Sequence, residues 1–300
     1  MSRSFNKVWD FFFNRLEIMP QKPKKIAIQG VIGSYHDIAA HEYFKEESIT
    51  LNCCNSFDDL FTKLKSDETM LGMMAIENTI AGSLLHNNDL LRNSNTQIIG
   101  EHKLRISHCL VALPGTKMED IEEIHSHPIA LMQCRDFLNS HPHIKVVESE
   151  DTALSAEEIA KKKLVHRAAI CSSKAAEINH LNILESGIET NKHNYTRFLV
   201  IADAWQEEQI RKTEHKNKSN VVFSLPHEEG SLSQVLSIFS FYKVNLTKIQ
   251  SLPILGREWE YQFYIDLSFD DYTRYQQALN AVTPLTKALK VLGEYEAFVD

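Results

Sequence analysis

The chain has 300 residues, enough for two domains at about 150 residues each. Apolar residues make up 43% of it and charged residues 24%, an ordinary globular composition that excludes collagenous, low-complexity and wholly disordered chains. The net charge of −8, from 32 basic and 40 acidic residues, disfavours nucleic acid as a partner but leaves room for a small anion in a locally positive cleft. No uncharged run reaches the roughly 18 residues of a membrane span. The opening MSRSFNKVWDFFFNRLEIMPQKPKK carries Asp10, Arg15 and Glu17 and no small-residue cleavage site, so it is a poor signal peptide. The cysteines are Cys53, Cys54, Cys109, Cys134 and Cys171, with no CxxC pair. That pattern predicts reduced thiols in a cytoplasm, with neither a zinc site nor a disulfide framework.

In chain order, residues 1–24 read as an extension, with a short amphipathic helix over 7–19 and no chemistry. From Lys25 strands and helices alternate. IAIQG (26–30) is a strand, SYHDIAAHEYF (34–44) a helix, ITLNCC (49–54) a strand and FDDLFTKLK (57–65) a helix. MLGMMAI (70–76) is a strand, followed by a helix over 84–91 and one or two strands in 98–113. IALMQCRDFLNS (129–140) is a crossover helix. KVVES, TALSAEEIAKKK, RAAICS, SKAAEINHL and TRFLVIA then alternate strand and helix to the end of the segment. This order predicts an α/β domain with a mostly parallel sheet. Residues 204–219 are polar without apolar period and read as a linker. Beyond them the order is βαββαβ, a ferredoxin-like α+β module over 220–300.

Several segments could carry chemistry. Gly30 and Gly33 lie between a strand and a helix, where the turn either cradles an anion or is a plain βα turn; the spacing fits neither a dinucleotide fingerprint nor a P-loop. Glu77 and Asn78 follow a strand, at the end where open α/β sheets bind ligands. Ser126 reads as a helix N-cap before Pro128, with Gln133 two turns on. Thr196 and Arg197 open a strand, and arginine is the side chain that clamps a carboxylate bidentately. Neighbours on a strand face opposite ways, so both reach one cleft only if the strand end bends. The HxH pairs at 125/127 and 141/143 lack further ligands, so no metal is predicted. His108, inside an apolar run, reads as core packing.

Taken in order, these segments resemble the prephenate dehydratase family. IAIQGVIGSYHDIAA, GMMAIENTIAGS, IIGEHKLRISHCLVALPG, SHPIALMQCRDFL, DTALSAEEIA, AAICSSKAAEINHLNIL and NYTRFLVI each resemble the family's motif at that place. NLTKIQSLP and GREWEYQFYIDL resemble its C-terminal regulatory ACT module. The resemblance implies a catalytic domain over 25–203 built of two lobes like type 2 periplasmic binding proteins. Lobe 1 would comprise about 25–103 and 184–203, and lobe 2 about 104–183. An ACT domain would occupy 220–300.

The implied reaction converts prephenate to phenylpyruvate with loss of carbon dioxide and water, a hydro-lyase step of phenylalanine biosynthesis that needs no cofactor and no metal. The resemblance implies Thr196 and Arg197 as catalytic residues. Thr196 would bond the departing hydroxyl and Arg197 a substrate carboxylate, with Phe198 supporting Arg197. Glu77, Asn78, Ser126 and Gln133 would line the cleft. It further implies L-phenylalanine as an allosteric inhibitor near Gly230, Ser231, Leu232, Asn245 and Leu246, and a homodimer or homotetramer in the cytoplasm. The chain departs from the family at Val31, Ala75 and Thr79. Gln250–Ser251–Leu252–Pro253 replaces ESRP, which weakens the case for inhibition more than for activity. Arogenate dehydratase and a non-catalytic amino-acid sensor are the competing readings.

Overall fold

A computed structural model describes residues 22–45, 47–206, 215–254, 256, 257 and 260–298. The predicted helix over 7–19 and the middle of the predicted linker lie outside the described residues. The first part of the chain runs β1 (Lys24–Gln29), α1 (Tyr35–Tyr43), β2 (Ile49–Cys54), α2 (Phe57–Ser66), β3 (Leu71–Asn78), β4 (Gly82–Ser83), α3 (Leu85–Asn93) and β5 (Thr96–Arg105). A second group follows: β6 (Cys109–Ala112), β7 (Glu123–Ser126), α4 (Pro128–Gln133), α5 (Arg135–Asn139), β8 (Lys145–Glu148), α6 (Thr152–Lys162), β9 (Arg167–Cys171), α7 (Ser173–Ile178) and β10 (Asn182–Ser186). Strand β11 (Tyr195–Asp203) returns to the first group. The C-terminal segment runs β12 (Lys218–Ser224), α8 (Ser231–Phe241), β13 (Asn245–Pro253), β14 (Tyr261–Ser268), α9 (Tyr272–Val282) and β15 (Lys287–Tyr295), the βαββαβ order read from the sequence.

Local chemistry sets the helix starts. Ser34, Ser56, Asp151, Ser172 and Asp271 each accept a first-turn backbone N–H, the usual task of such N-caps. The helix predicted over 129–140 is broken at Cys134 into α4 and α5.

Two sheets form. One follows the order β13-β14-β12-β15-β5-β11-β3-β1-β2, with β4 added on β3; the other follows β10-β6-β9-β7-β8. The fold is therefore mixed α/β. Neither sheet is mostly parallel: β11 runs antiparallel to both β3 and β5, and β6 runs antiparallel to β9 and β10. The reason is connectivity, because the chain crosses between the sheets over 106–108 and returns over 187–194, which reverses β11 relative to β3. Both faces of the central strands are buried, with Ile26, Ile28, Met73, Phe198 and Val200 on one side and Ala27, Met74, Leu199 and Ile201 on the other. The C-terminal strands join the first sheet through a parallel contact of Gly293 with Ile98.

Candidate active site

The ends of β1 and β3 and the start of β11 face the starts of α4 and α6 across a cleft of about 370 Å³, a size suited to a small organic ligand. Ser34, Tyr35, His36, Asn78, His108, His127, Gln133, Thr196 and Phe198 are among its lining residues. A wider groove of about 1280 Å³ lies between α1, α7 and residues 296–298 and contains none of Asn78, Gln133 or Thr196.

Register explains which side chains reach the cleft. Thr196 pairs with Asn78 and Arg197 with Glu77, and a bulge then sets Phe198 opposite Ala75. Alternation along β11 puts Thr196 and Phe198 on the cleft face, and the bulge at Ile76 brings Ala75 to the same face as Asn78. Glu77 and Arg197 point the other way.

Asn78 is the centre of the cleft's hydrogen bonding. Its Oδ1 accepts the backbone N–H groups of Ile80 (2.9 Å) and Ala81 (2.8 Å), and an amide N–H of Gln133 (3.1 Å). Two backbone donors fix that atom as oxygen. The Asn78 Nδ2 therefore faces Thr196 Oγ1 at 3.0 Å and Asn194 Oδ1 at 2.8 Å and donates to both. Thr196 is thus an acceptor toward Asn78, which leaves its own O–H hydrogen for a group in the cleft. Gln133, from the second sheet's side, passes its Oε1 to His108 Nε2 at 2.8 Å. Burial lowers the pKa of His108, and it lowers that of His36 to about 4, so both rings are neutral near pH 7. His36 Nε2 accepts the Ala75 N–H at 3.3 Å, and its ring meets Phe198 edge-on at 5.0 Å.

Arg197 is the main correction to the sequence reading. Its guanidinium is buried away from the cleft, bonded to Glu77 (2.6 Å), Glu101 (3.1 Å) and Asp266 of β14. Burial opposes its charge, but Asp266, Glu77 and Glu101 outweigh that and raise its pKa. Lys218 of β12 pairs with Glu101 at 2.7 Å, and Lys248 of β13 with Glu77 at 2.9 Å. Burial of Glu77 and Glu101 is outweighed by these cations, and both carboxyls lie below their ordinary range. So Arg197 and Glu77 are not cleft residues; they tie the back of β3 and β11 to the C-terminal segment. Phe198 walls the cleft and does not support Arg197.

Ser126 is a second correction. It is fully buried and donates to the Ile170 carbonyl at 2.6 Å, and the helix cap is instead His127, whose Nδ1 accepts the Ile129 N–H at 3.2 Å. The glycine turn is not an open anion cradle either. The Gly33 N–H goes to the Asp37 carboxylate at 2.7 Å, and a Cβ on Gly33 would lie 2.9 Å from Ala175 Cα of α7. The turn is therefore where the two halves of the molecule touch.

The proposed effector residues divide into two places. Gly230, with φ of +81°, precedes α8, and Ser231 and Leu232 border a dent of about 130 Å³ with Pro226, His227 and Phe263. Asn245 and Leu246 begin β13 beyond the opposite end of α8, about 16 Å away at 1.5 Å per helical residue. Sequence reasoning missed Tyr35, His36 and His108 as cleft residues. The signal for His108 was present, as a titratable side chain inside an otherwise apolar run.

Known proteins place this arrangement. A family model for prephenate dehydratase matches residues 26–206. Arogenate dehydratase 5, chloroplastic, of Arabidopsis thaliana is 36% identical over 290 residues, covering 90% of this chain and 67% of its own length. The structure of prephenate dehydratase in complex with L-Phe from Arthrobacter aurescens superposes with a TM-score of 0.79 at 28% identity, covering 90% of this chain and 89% of that one. A structure described as GqqA, a novel type of quorum quenching acylases, gives 0.80 at 28% identity, covering 91% and 98%. With its motifs in register and the family model spanning more than half its length, the chain belongs to the prephenate dehydratase family.

Proposed function

We infer that this chain removes carbon dioxide and water from prephenate to give phenylpyruvate. The observation that carries the reading is the polarity at Thr196, whose oxygen takes the Asn78 N–H and whose own O–H is left to bond the departing C4 hydroxyl. As the ring carboxylate leaves as carbon dioxide, the C–C bonding pair enters the ring and the C4–O bond breaks toward the Thr196 hydroxyl. One proton is consumed in forming water. Threonine is a weak acid, so it orients and relays while solvent supplies that proton. The ring gains aromaticity, so the enzyme's tasks are to hold the substrate, to order Thr196 and to keep the leaving group bonded.

Arogenate is a second reading with an observation of its own. Among the described residues no lysine or arginine lines the cleft, whereas Glu150 and Asp151 do. Those carboxylates suit an ammonium, which arogenate carries where prephenate has a keto oxygen.

The C-terminal βαββαβ segment is read as an ACT module that takes L-phenylalanine. Since Gly230–Leu232 and Asn245–Leu246 lie at opposite ends of α8, a ligand touching both would sit between two copies, which favours a homodimer or a homotetramer. The chain is assigned to the cytoplasm on its reduced cysteine pattern; no described helix is long and apolar enough to cross a membrane.

The test is turnover of prephenate and arogenate side by side, following phenylpyruvate and phenylalanine, with and without added phenylalanine. Thr196→Ala should lose 100-fold or more in kcat, about what one preorganised donor contributes, and Thr196→Ser should keep most of it. Near-normal turnover by Thr196→Ala refutes the assignment.

A further inference from the structure

We propose that His108 is a positioning residue for the dehydration: through its Nε2–H it fixes the amide of Gln133, so that Gln133 bridges the two sides of the cleft with one hydrogen and offers the other to the substrate. The argument follows hydrogen-bond polarity. Asn78 Oδ1 is oxygen because two backbone N–H groups point at it. The Gln133 atom facing it at 3.1 Å must then be the amide nitrogen, and Gln133 Oε1 must face His108 Nε2 at 2.8 Å. An oxygen there requires a hydrogen on Nε2. In a neutral ring Nδ1 is then the acceptor, and it lies 2.8 Å from the Tyr35 hydroxyl, whose one hydrogen it shares with the Ser107 carbonyl at 2.8 Å.

The surroundings hold the ring in that state. His108 is 2% exposed, Tyr35 meets it edge-on at 5.5 Å, and its backbone N–H is held by the buried Glu189 carboxylate at 2.9 Å. Position matters as much as polarity. His108 lies in the crossing segment 106–108, Gln133 ends α4 of the second group, and Asn78 ends β3 of the first. The Gln133–Asn78 bond is therefore a latch across the cleft, and His108 orients it. Without a donor on that side, the Gln133 amide is free to turn its oxygen toward Asn78 Oδ1, which opens the latch and removes a donor from the substrate.

The inference rests on the dehydratase reading, and two measurements separate them. The first needs no substrate: the ¹⁵N shifts of His108 near pH 7 should report the Nε2–H tautomer, and an Nδ1–H tautomer overturns the proposal. The second is kinetic. Glutamine at 108 can place an amide N–H near the position of Nε2, whereas asparagine reaches only the Nδ1 side. His108→Gln should stay within about 5-fold of wild-type kcat and His108→Asn should fall about 30-fold or more, with KM changing less than 3-fold, as for loss of an interaction made in the transition state. In a Gln133→Ala background, His108→Asn should add little, because both changes remove one unit. Equal kcat losses in His108→Gln and His108→Asn, or losses that add fully to Gln133→Ala, overturn it. Absence of turnover by the wild-type chain with the Nε2–H tautomer present counts against the dehydratase reading and leaves the positioning geometry standing.

Discussion

A single ring shows how closely the cleft is matched to neutral pH. His36 follows the glycine turn, accepts the Ala75 N–H through Nε2 and packs against Phe198 and Phe57. A protonated ring has no lone pair to accept that bond, and burial lowers the His36 pKa from 6.5 to about 4. The sign follows from linkage. Between pH 6.5 and 4 the unfolded chain binds a proton here that the folded chain does not, so this contribution is complete above pH 6.5 and is lost as pH falls toward 4. By pH 5 the loss is about 2 kcal/mol. Urea unfolding of wild type and His36→Gln at pH 7 and pH 5 checks this. Glutamine can still accept from Ala75, so the variant should lose less stability over that interval by about 2 kcal/mol; parallel losses in the two proteins refute the assignment. Asn78 and Thr196 were legible because motif and strand-end position agree for them, and Gln133 because its motif places it two helical turns beyond Ser126. His36 was not legible, and His108 only as a titratable side chain in an apolar run, because what gives each its role is burial beside a particular acceptor or donor. Pattern carries no such information.

Strands β3 and β11 each have two jobs on two faces. The cleft face carries Asn78 and Thr196, and the opposite face carries Glu77 and Arg197, each register partner beside its own. A motif such as Thr196–Arg197–Phe198 cannot reveal this from adjacency, although alternation along a strand already set Thr196 and Arg197 against each other. The alternation of strand and helix was readable, but β10 and the sheet order were not, and the chain returns to the first sheet over 187–194, after β10, not near 184; which partner faces Arg197 depends on Asp266, 69 residues later. The consequence is measurable. Arg197→Ala leaves Glu77, Glu101 and Asp266 short of a cation in a buried setting, and breaking a buried ion pair from one side costs about 3–5 kcal/mol. The expected result is a large fall in unfolding free energy, with kcat/KM reduced far less than in Thr196→Ala. A variant of normal stability with turnover lost 100-fold restores Arg197 as a substrate ligand.

At the scale of the whole molecule, the C-terminal segment is both docked on and hydrogen-bonded into the first sheet. Its charged contacts are Asp266 to Arg197, Lys218 to Glu101 and Lys248 to Glu77, and Tyr295 joins them through Asn220 at 2.6 Å. Its backbone contact is Gly293 against Ile98, where an added Cβ would lie 2.2 Å from the Ile98 carbonyl oxygen. Backbone cannot yield as a flexible side chain can, so any residue but glycine forces β15 away from β5. Such a shift would also part the ion pairs that reach the backs of Asn78 and Thr196. Gly293→Ala is therefore expected to uncouple the two parts of the chain while leaving the cleft residues in place. Calorimetry should show the unfolding transition split in two, and any response of turnover to phenylalanine should weaken while basal turnover persists. One undivided transition with an unchanged phenylalanine response means that the joint at Gly293 does not carry the coupling, and leaves it to the buried charges and to the apolar cluster that Val222, Tyr264 and Leu292 share with Leu91 and Ile98.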